Sequence, residues 1–141
     1  MRNNLTPGNK IMPENKKTVF LVEDDSAIID IYQTAMIKAD FDVEVISLGQ
    51  DVISKIKSIQ AEESKKPDII LLDLILPDMN GAEILEELKK NSQTKNIPVF
   101  VISNQQEEES MQALKSKPDK FIMKANITPT QLVELIKERL S

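Results

Sequence analysis

The chain of 141 residues contains no cysteine and no histidine. Without cysteine it can form no disulfide, no thiol nucleophile and no cysteine-ligated zinc or iron site. Without histidine it has neither the base of a Ser-His-Asp triad nor the commonest metal ligand. Chemistry in this chain must therefore use carboxylates, hydroxyls and lysines, and a bound metal should be a hard, oxygen-preferring ion such as Mg²⁺ or Ca²⁺.

Glycine and long apolar segments are also scarce. The only glycines, Gly8, Gly49 and Gly81, lie far apart, which excludes a glycine-rich phosphate-binding loop. No run approaches the roughly 18 apolar residues of a membrane span, and residues 1–17 lack the apolar centre of a signal peptide. The net charge of −5 argues against nucleic-acid and acidic-membrane partners. A cytoplasmic location is therefore expected.

From residue 18 onward, two sequence patterns alternate. Longer segments with helical spacing separate five short apolar runs rich in β-branched residues, which predict strands at 18–22, 43–47, 68–72, 98–103 and 120–123. This alternation predicts an α/β fold, in which helices cover both faces of a doubly wound, five-stranded parallel sheet. We expect a flexible polar tail over residues 1–17 and one domain over residues 18–141.

Apolar spacing indicates which face of each of the five predicted helices meets the sheet. The fourth helix, around residues 106–116, has the weakest pattern. The fifth has the best start signal, a capping box with Thr128 as N-cap, Pro129 at the first helical position and Gln131 two residues later. The residues predicted to share the buried face of the first, second, third and fifth helices are, in that order, Ile28, Ile31, Tyr32, Ala35 and Ala39; Val52, Ile56 and Ile59; Ile84, Leu85 and Leu88; and Leu132, Leu135, Ile136 and Leu140.

Ionisable or hydroxyl side chains follow four of the five predicted strands. In open α/β sheets, ligands bind beyond the carboxyl ends of the strands, so these side chains define a candidate site. Crowded carboxylates repel, by roughly 4 kcal/mol for a pair about 4 Å apart at an effective dielectric near 20, unless solvent or a cation offsets the repulsion. The side chains are Glu23, Asp24 and Asp25 after the first strand, Asp73 after the third, Ser103 at the end of the fourth and Lys124 after the fifth.

These residues predict a phosphoryl-transfer site. Apolar residues precede and follow Asp73, and an unpaired carboxylate in apolar surroundings is costly in free energy. Asp25, in contrast, is explained at least as well as the N-cap of the following helix. Glu23, Asp24 and Asp73 are expected to supply oxygens to Mg²⁺, with a hydroxyl and an ammonium to hold an anion on the metal. A carboxylate beside a divalent ion can attack phosphorus to give an acyl phosphate, and the transfer needs little beyond positioning and charge neutralisation.

The motifs FLVEDD, IILLDLILPDMNG, VFVISN and FIMK, in this order, resemble those of response-regulator receiver domains over roughly residues 17–141. The resemblance implies a stand-alone, chemotaxis-regulator-like receiver with a flavodoxin-like fold and strand order 2-1-3-4-5. It also implies a phosphorelay protein of a two-component system, which is not an enzyme and accepts a phosphoryl group from a sensor histidine kinase or a histidine phosphotransfer protein.

The resemblance also implies a role for each matching residue of the metal and acceptor site. Asp73 matches the aspartate that accepts the phosphoryl group. Asp24 matches a direct Mg²⁺ ligand, and Glu23 matches an acid that acts through water. The backbone carbonyl of Ile75 matches the third protein ligand of the metal.

Three further positions match the switch of the family. Ser103 corresponds to the hydroxyl that bonds the phosphoryl oxygen, and Lys124 to the lysine that pairs with it. Phe121 corresponds to the rotating aromatic. The implied output surface, formed by the fourth helix, fifth strand and fifth helix, binds a protein partner that the sequence does not name.

The chain departs from the family pattern near this switch. Ala125 replaces the proline that normally follows the lysine through a cis bond, and a cis non-proline bond costs about 3–4 kcal/mol, so we expect a trans bond or a rebuilt loop. Asn104 replaces a small residue, and is expected to narrow access to the phosphoryl group or to hydrogen-bond to it. The segment SKPDK replaces a Gly-Ala pair, so the fourth helix and its loop are expected to be atypical.

Two other functions are compatible with parts of this pattern. Haloacid-dehalogenase phosphatases also use an aspartate at a strand end, but they require a second aspartate two residues later, where this chain has Ile75. The remaining alternative is an interaction module with the receiver fold that phosphorylation no longer regulates. Binding of Mg²⁺ and phosphorylation of Asp73 would discriminate between that module and a phosphorylated switch.

Overall fold

The computed structural model describes residues 16–104, 112 and 114–141. Its five strands form one parallel sheet with the order β2-β1-β3-β4-β5. The doubly wound, flavodoxin-like α/β fold predicted from the sequence is therefore confirmed. The strands are Thr18–Val22 (β1), Asp42–Ile46 (β2), Ile69–Asp73 (β3), Val99–Ser103 (β4) and Lys120–Met123 (β5).

The described part of the chain contains four of the five predicted helices. They are Ser26–Lys38 (α1), Gly49–Gln60 (α2), Gly81–Lys90 (α3) and Pro129–Leu140, which we call the C-terminal helix. The fourth predicted helix falls largely on residues 105–111 and 113, which lie outside the described residues, as does most of the predicted N-terminal tail. No helix in the described ranges is both long enough and apolar enough to span a bilayer.

The alternation of side chains along the strands divides the core into two clusters. Central strands β3 and β4 are buried along their whole length, as expected for a parallel sheet covered on both faces. The strand residues in the cluster beneath α2 and α3 are Phe20, Val22, Ile46, Ile70, Leu72, Val99 and Val101. The cluster beneath α1 and the C-terminal helix takes Val19, Leu21, Ile69, Leu71, Phe100, Ile102 and Ile122.

The buried face of α1 differs from the predicted one at one position. Tyr32 and Met36 are its buried residues, whereas Ile31 is 48% exposed, so the assignment of Ile31 to the core-facing side is wrong. Tyr32 and Met36 lie one helical turn apart and define the centre of the stripe. Ile31 lies at its edge and borders a surface groove between α1 and the C-terminal helix, which Val133 also lines.

The loop after β5 and the helix that follows it agree with the sequence predictions. No cis peptide bond occurs within the described ranges, so the expected trans bond between Lys124 and Ala125 is confirmed, and a short 3-10 turn, Lys124–Asn126, leads away from the strand. The capping box is also confirmed, since the Thr128 hydroxyl accepts the Gln131 N–H at 3.1 Å and the Gln131 side chain accepts the Thr128 N–H at 2.9 Å.

Candidate functional site

Side-chain alternation brings two acids and a lysine to the same face at the carboxyl end of the sheet. The backbone N–H of Glu23 donates to the Ile46 carbonyl at 3.1 Å, so the ladder extends one residue beyond β1. Because successive side chains of a strand point to opposite faces, each charged residue follows an apolar row that packs beneath α1 and the C-terminal helix. The rows are Val19, Leu21 and Glu23; Ile69, Leu71 and Asp73; and Ile122 and Lys124.

Lys124 is the counter-ion of both buried acids. Its Nζ lies 3.1 Å from Oε1 of Glu23 and 3.5 Å from Oδ2 of Asp73. Glu23 and Asp73 are only 2% and 5% exposed, so this ammonium offsets the charge of two acids that are almost completely buried. Glu23, Asp73 and Lys124 therefore form an ion cluster that joins the ends of β1, β3 and β5.

Backbone N–H groups fix the remaining oxygens of the two buried acids. Oε2 of Glu23 accepts the N–H groups of Asp24 and Asp25 at 3.2 and 3.1 Å. Oδ1 of Asp73 accepts the N–H of Ile75 at 3.2 Å. These contacts leave the two oxygens of Asp73 in different surroundings, one held by its own loop and the other facing Lys124.

Charge and burial shift the titration of this cluster. Burial, followed by repulsion from Glu23, raises the pKa of Asp73 to about 7, although Lys124 and the Ile75 N–H act in the opposite direction. Burial alone would lower the pKa of Lys124, but attraction to Asp73 and Glu23 outweighs it and raises that pKa. Near neutral pH, Lys124 is therefore charged while Asp73 exchanges a proton.

Three carboxylates converge closely enough to hold one metal ion. Glu23, Asp24 and Asp73 each offer an oxygen, and these oxygens lie within 4.8 Å of one another. Two of the carboxylates are buried and Asp24 is exposed, so the group opens to solvent on one side. Such a set of hard oxygen donors fits Mg²⁺ or a similar divalent ion.

Asp25 makes the contacts of a helix cap. Its Oδ1 accepts the N–H groups of Ala27 and Ile28 at 2.9 and 3.1 Å, at the start of α1. Of the two interpretations considered from the sequence, the structural one accounts for these contacts.

The predicted switch residues, Ser103 and Phe121, belong to strand rows that point to the sheet face opposite to that of the ion cluster. Ser103 is fully buried at the end of β4, in the row of Val101, and its Oγ donates to the Asn104 carbonyl at 3.0 Å. Phe121 pairs with Val101 across β4 and β5, and is a partly buried neighbour of the core cluster beneath α2 and α3. The structure therefore brings Glu23, Asp24, Asp73 and Lys124 together. Ser103 and Phe121 belong to rows that point to the opposite face, although Ser103 ends β4 at the same carboxyl edge as Asp73.

Two residues that bear on this site were not predicted from the sequence. Tyr32, assigned only to the core, lies close enough for its pKa to respond to Lys124, Glu23 and Asp73, although burial is the main cause of its upward shift. Asp78 caps a helix that lies far away along the chain. A signal for this second contact exists in the sequence, because Leu48 precedes α2 and cannot cap it with its side chain.

The chain belongs to the response regulator receiver domain family, whose sequence model matches residues 19–137. The response regulator Rcp1 of Synechocystis sp. is 36% identical over 99 residues, which cover 67% of this chain and 67% of Rcp1. Other curated relatives are longer proteins, and the matched region spans 21% and 28% of the length of two of them. The family places the chain among the signalling proteins of two-component systems, which are largely not enzymes.

Solved structures of the same family share the fold. The phosphorylated cyanobacterial phytochrome response regulator RcpA superposes with a TM-score of 0.69 at 31% identity, covering 88% of this chain and 91% of that one. The Mn²⁺-bound form of Rcp1 superposes with a TM-score of 0.72 at 27% identity, covering 86% and 92% of the two chains. Likeness at this level agrees with the sheet order observed here.

Proposed function

We propose that this protein accepts a phosphoryl group on Asp73 in a Mg²⁺-dependent reaction and thereby switches its binding to other proteins. The observation that carries the proposal is the surroundings of Asp73, a buried carboxylate at a strand end with Lys124 on one oxygen and two further acids beside it. A purely structural role does not account for two buried acids that share one lysine beside a third, exposed acid.

The metal would be held by the carboxylates of Glu23, Asp24 and Asp73 together with the backbone carbonyl of Ile75. When bound, the ion neutralises the negative charge that the acids and an incoming phosphoryl group bring together. The related protein Rcp1 has a Mn²⁺-bound form, which supports a divalent ion in this family. For this chain, hard carboxylate oxygens and the absence of histidine and cysteine favour Mg²⁺.

The residues of the chain supply the nucleophile and the positive charge for the transfer. An ionised oxygen of Asp73 attacks the phosphorus of a phosphohistidine on the donor. The new O–P bond forms as the P–N bond breaks, and the imidazole nitrogen leaves with the electron pair. Lys124 faces Oδ2 of Asp73 and is placed to pair with a phosphoryl oxygen.

The donor is a sensor histidine kinase or a histidine phosphotransfer protein, as the family membership suggests. After the transfer, Ser103 bonds a phosphoryl oxygen and Phe121 turns inward, which changes the surface around β5 and the C-terminal helix. The phosphoryl group shifts this equilibrium only through its different contacts in the two states. We place these events in the cytoplasm, as expected from the sequence.

Intact-mass spectrometry tests the proposal. The protein is incubated with a small phosphodonor with and without Mg²⁺, alongside the variants Asp73→Asn and Asp25→Asn. We expect one phosphoryl group on the wild type and on Asp25→Asn in the presence of Mg²⁺, and none on Asp73→Asn. Asp25 is the matched control because it belongs to the same run of acids but caps α1.

The alternative outcome favours a binding module that phosphorylation does not regulate. A wild type that neither binds Mg²⁺ nor gains mass, with the small donor or with a histidine kinase, would contradict the proposal. A wild type that binds Mg²⁺ and is phosphorylated only by a kinase would agree with it, and would indicate that Asn104 or its loop excludes small donors.

A further inference from the structure

We infer that Asp78 is a positioning residue for the metal site, because its carboxylate fastens the loop between β3 and α3, residues 74–80, to the first turn of α2. The inference rests on the proposed function, since the same loop carries the Ile75 carbonyl that we propose as a metal ligand. Asp78 itself is exposed and lies three residues beyond Ile75, so it would act on the metal only through the backbone.

The carboxylate of Asp78 supplies a cap that α2 lacks locally. Its Oδ1 accepts the N–H of Gly49 at 2.8 Å, and its Oδ2 accepts the N–H of Gln50 at 2.9 Å. The residue before α2, Leu48, makes no side-chain cap, and a helix start leaves such N–H groups without partners. The other three described helices are capped by the residue immediately before them, Asp25, Asn80 or Thr128.

A packing contact beside these hydrogen bonds fastens the same loop to the same helix. The side chain of Met79 lies against Gly49, so closely that a Cβ at position 49 would overlap Cγ of Met79. Met79 also packs against the core cluster beneath α2 and α3. Two adjacent loop residues therefore contact the start of α2, Asp78 through hydrogen bonds and Met79 through side-chain packing.

The base of the loop is fixed independently of Asp78. The N–H of Gly81 donates to the Leu74 carbonyl at 2.7 Å, and Ile75 forms an isolated antiparallel bridge with Asn80. Leu74 and Leu76 are buried in the core. The loop is thus closed at its base, where Ile75 forms part of the bridge, and fastened to α2 at its tip.

Loss of the tip contact would leave Ile75 held by the base of the loop alone. Hydrogen bonds from Gln50 and then Gly49 lower the pKa of the Asp78 carboxyl, so the charged form that makes both contacts is present throughout the neutral range. Partners that orient a metal ligand commonly change metal affinity by about 10–100-fold when they are removed. An effect at the lower end of that range is expected for a contact that acts through three residues of backbone.

Calorimetric titration with Mg²⁺ tests the inference on the full chain, with thermal unfolding measured in parallel. The variants are Asp78→Ala, Asp78→Asn and Thr128→Ala. Thr128→Ala is the matched control, because it removes a helix cap from the C-terminal helix without touching the loop. We expect Asp78→Ala to lower Mg²⁺ affinity about tenfold, and Asp78→Asn, which retains one acceptor oxygen, to lower it less.

The comparison separates a positioning role from a cap that serves only stability. If Asp78→Ala and Thr128→Ala lower the melting temperature similarly and both bind Mg²⁺ like the wild type, the inference is wrong while the proposed function stands. Failure of the wild type to bind Mg²⁺ would overturn both. A tenfold loss confined to Asp78→Ala, with partial recovery in Asp78→Asn, would support the inference, since a merely structural cap does not change metal affinity in the folded protein.

Discussion

The ammonium of Lys124 lies 3.1 Å from the buried carboxylate of Glu23, although the two residues are 101 positions apart in the chain. The pair joins the strands that we call β1 and β5, which are not neighbours in the sheet. It therefore crosses the carboxyl end of the sheet beside Asp73, whose Oδ2 lies 3.5 Å from the same ammonium.

Removal of Lys124 should destabilise the metal-free protein. Lys124→Met leaves two buried carboxylates without their counter-ion, and breaking a buried pair costs about 3–5 kcal/mol. We expect the free energy of unfolding at pH 8 to fall by about 3 kcal/mol in urea titrations, and Mg²⁺ to recover part of the loss. Lys120→Met, on the exposed start of β5, is the control and should change stability by less than about 0.5 kcal/mol. Equal effects of both variants would contradict the described role of the ion cluster.

The raised pKa of Asp73 should make metal-free stability fall as the pH rises. The pKa is about 7 in the folded protein against 3.8 as the ordinary value, so between these limits the folded state holds a proton that the unfolded state has lost. The resulting penalty develops from about pH 4 to pH 7 and is constant above.

Asp73→Asn removes that penalty and should stabilise the metal-free protein. The expected gain at pH 8 is on the order of 4 kcal/mol, and it should vanish near pH 4. Urea titrations of both proteins across this range measure it, since groups that the substitution leaves unchanged cancel in the difference. A difference in stability that does not depend on pH would show that Asp73 titrates normally.

Mg²⁺ binding should release a proton from the site. The metal requires ionised carboxylates, whereas Asp73 is largely protonated below its pKa of about 7. We expect Mg²⁺ affinity to rise about tenfold per pH unit below neutrality and to level off above it. Calorimetry at pH 6 in two buffers with different ionisation enthalpies should detect about one released proton for the wild type and none for Asp73→Asn. Binding that does not depend on pH would contradict the raised pKa.

Two glycines should respond differently to replacement by alanine. A Cβ at Gly81 would lie 2.5 Å from the Asp73 carbonyl oxygen and 2.7 Å from Cα of Leu74, both backbone atoms. A Cβ at Gly49 would meet the side chain of Met79, which can adopt another rotamer. We expect Gly81→Ala to cost about 3 kcal/mol and to weaken Mg²⁺ binding, and Gly49→Ala to cost about 1 kcal/mol. Chemical denaturation and Mg²⁺ titration measure both, and a larger loss of stability in Gly49→Ala would contradict this packing.

The sequence predicts much of the fold because local pattern and burial agree. Runs such as IILLD are apolar enough to require cover on both faces, and the acids and the lysine follow strands whose carboxyl ends meet at one edge of the sheet. Positions of Glu23, Asp73 and Lys124 at one edge follow from that rule alone. That these three side chains point to one face of the sheet, while Ser103 belongs to a row of the opposite face, follows from side-chain alternation and was not drawn from the sequence.

Other features depend on distances that local pattern does not contain. Ile31 lies close enough to the apolar stripe of α1 to pass for a core residue, and only the rotation of the packed helix exposes it. Asp78 contacts the start of α2 across a long stretch of sequence, since Gly49 and Gln50 precede it by 29 and 28 positions. The pKa of Asp73 reflects the balance between burial, Glu23 and Lys124, which spacing in the sequence does not determine.

Mapping the phosphoryl group to a residue tests the central proposal most directly. The protein is phosphorylated with a small donor and Mg²⁺ and treated with hydroxylamine, which attacks the acyl carbon, displaces phosphate and leaves a stable hydroxamate. Peptide mass spectrometry then locates the modified carboxyl. We expect a hydroxamate on Asp73 alone; modification of Glu23 or Asp24 with Asp73 unmodified would contradict the proposed function.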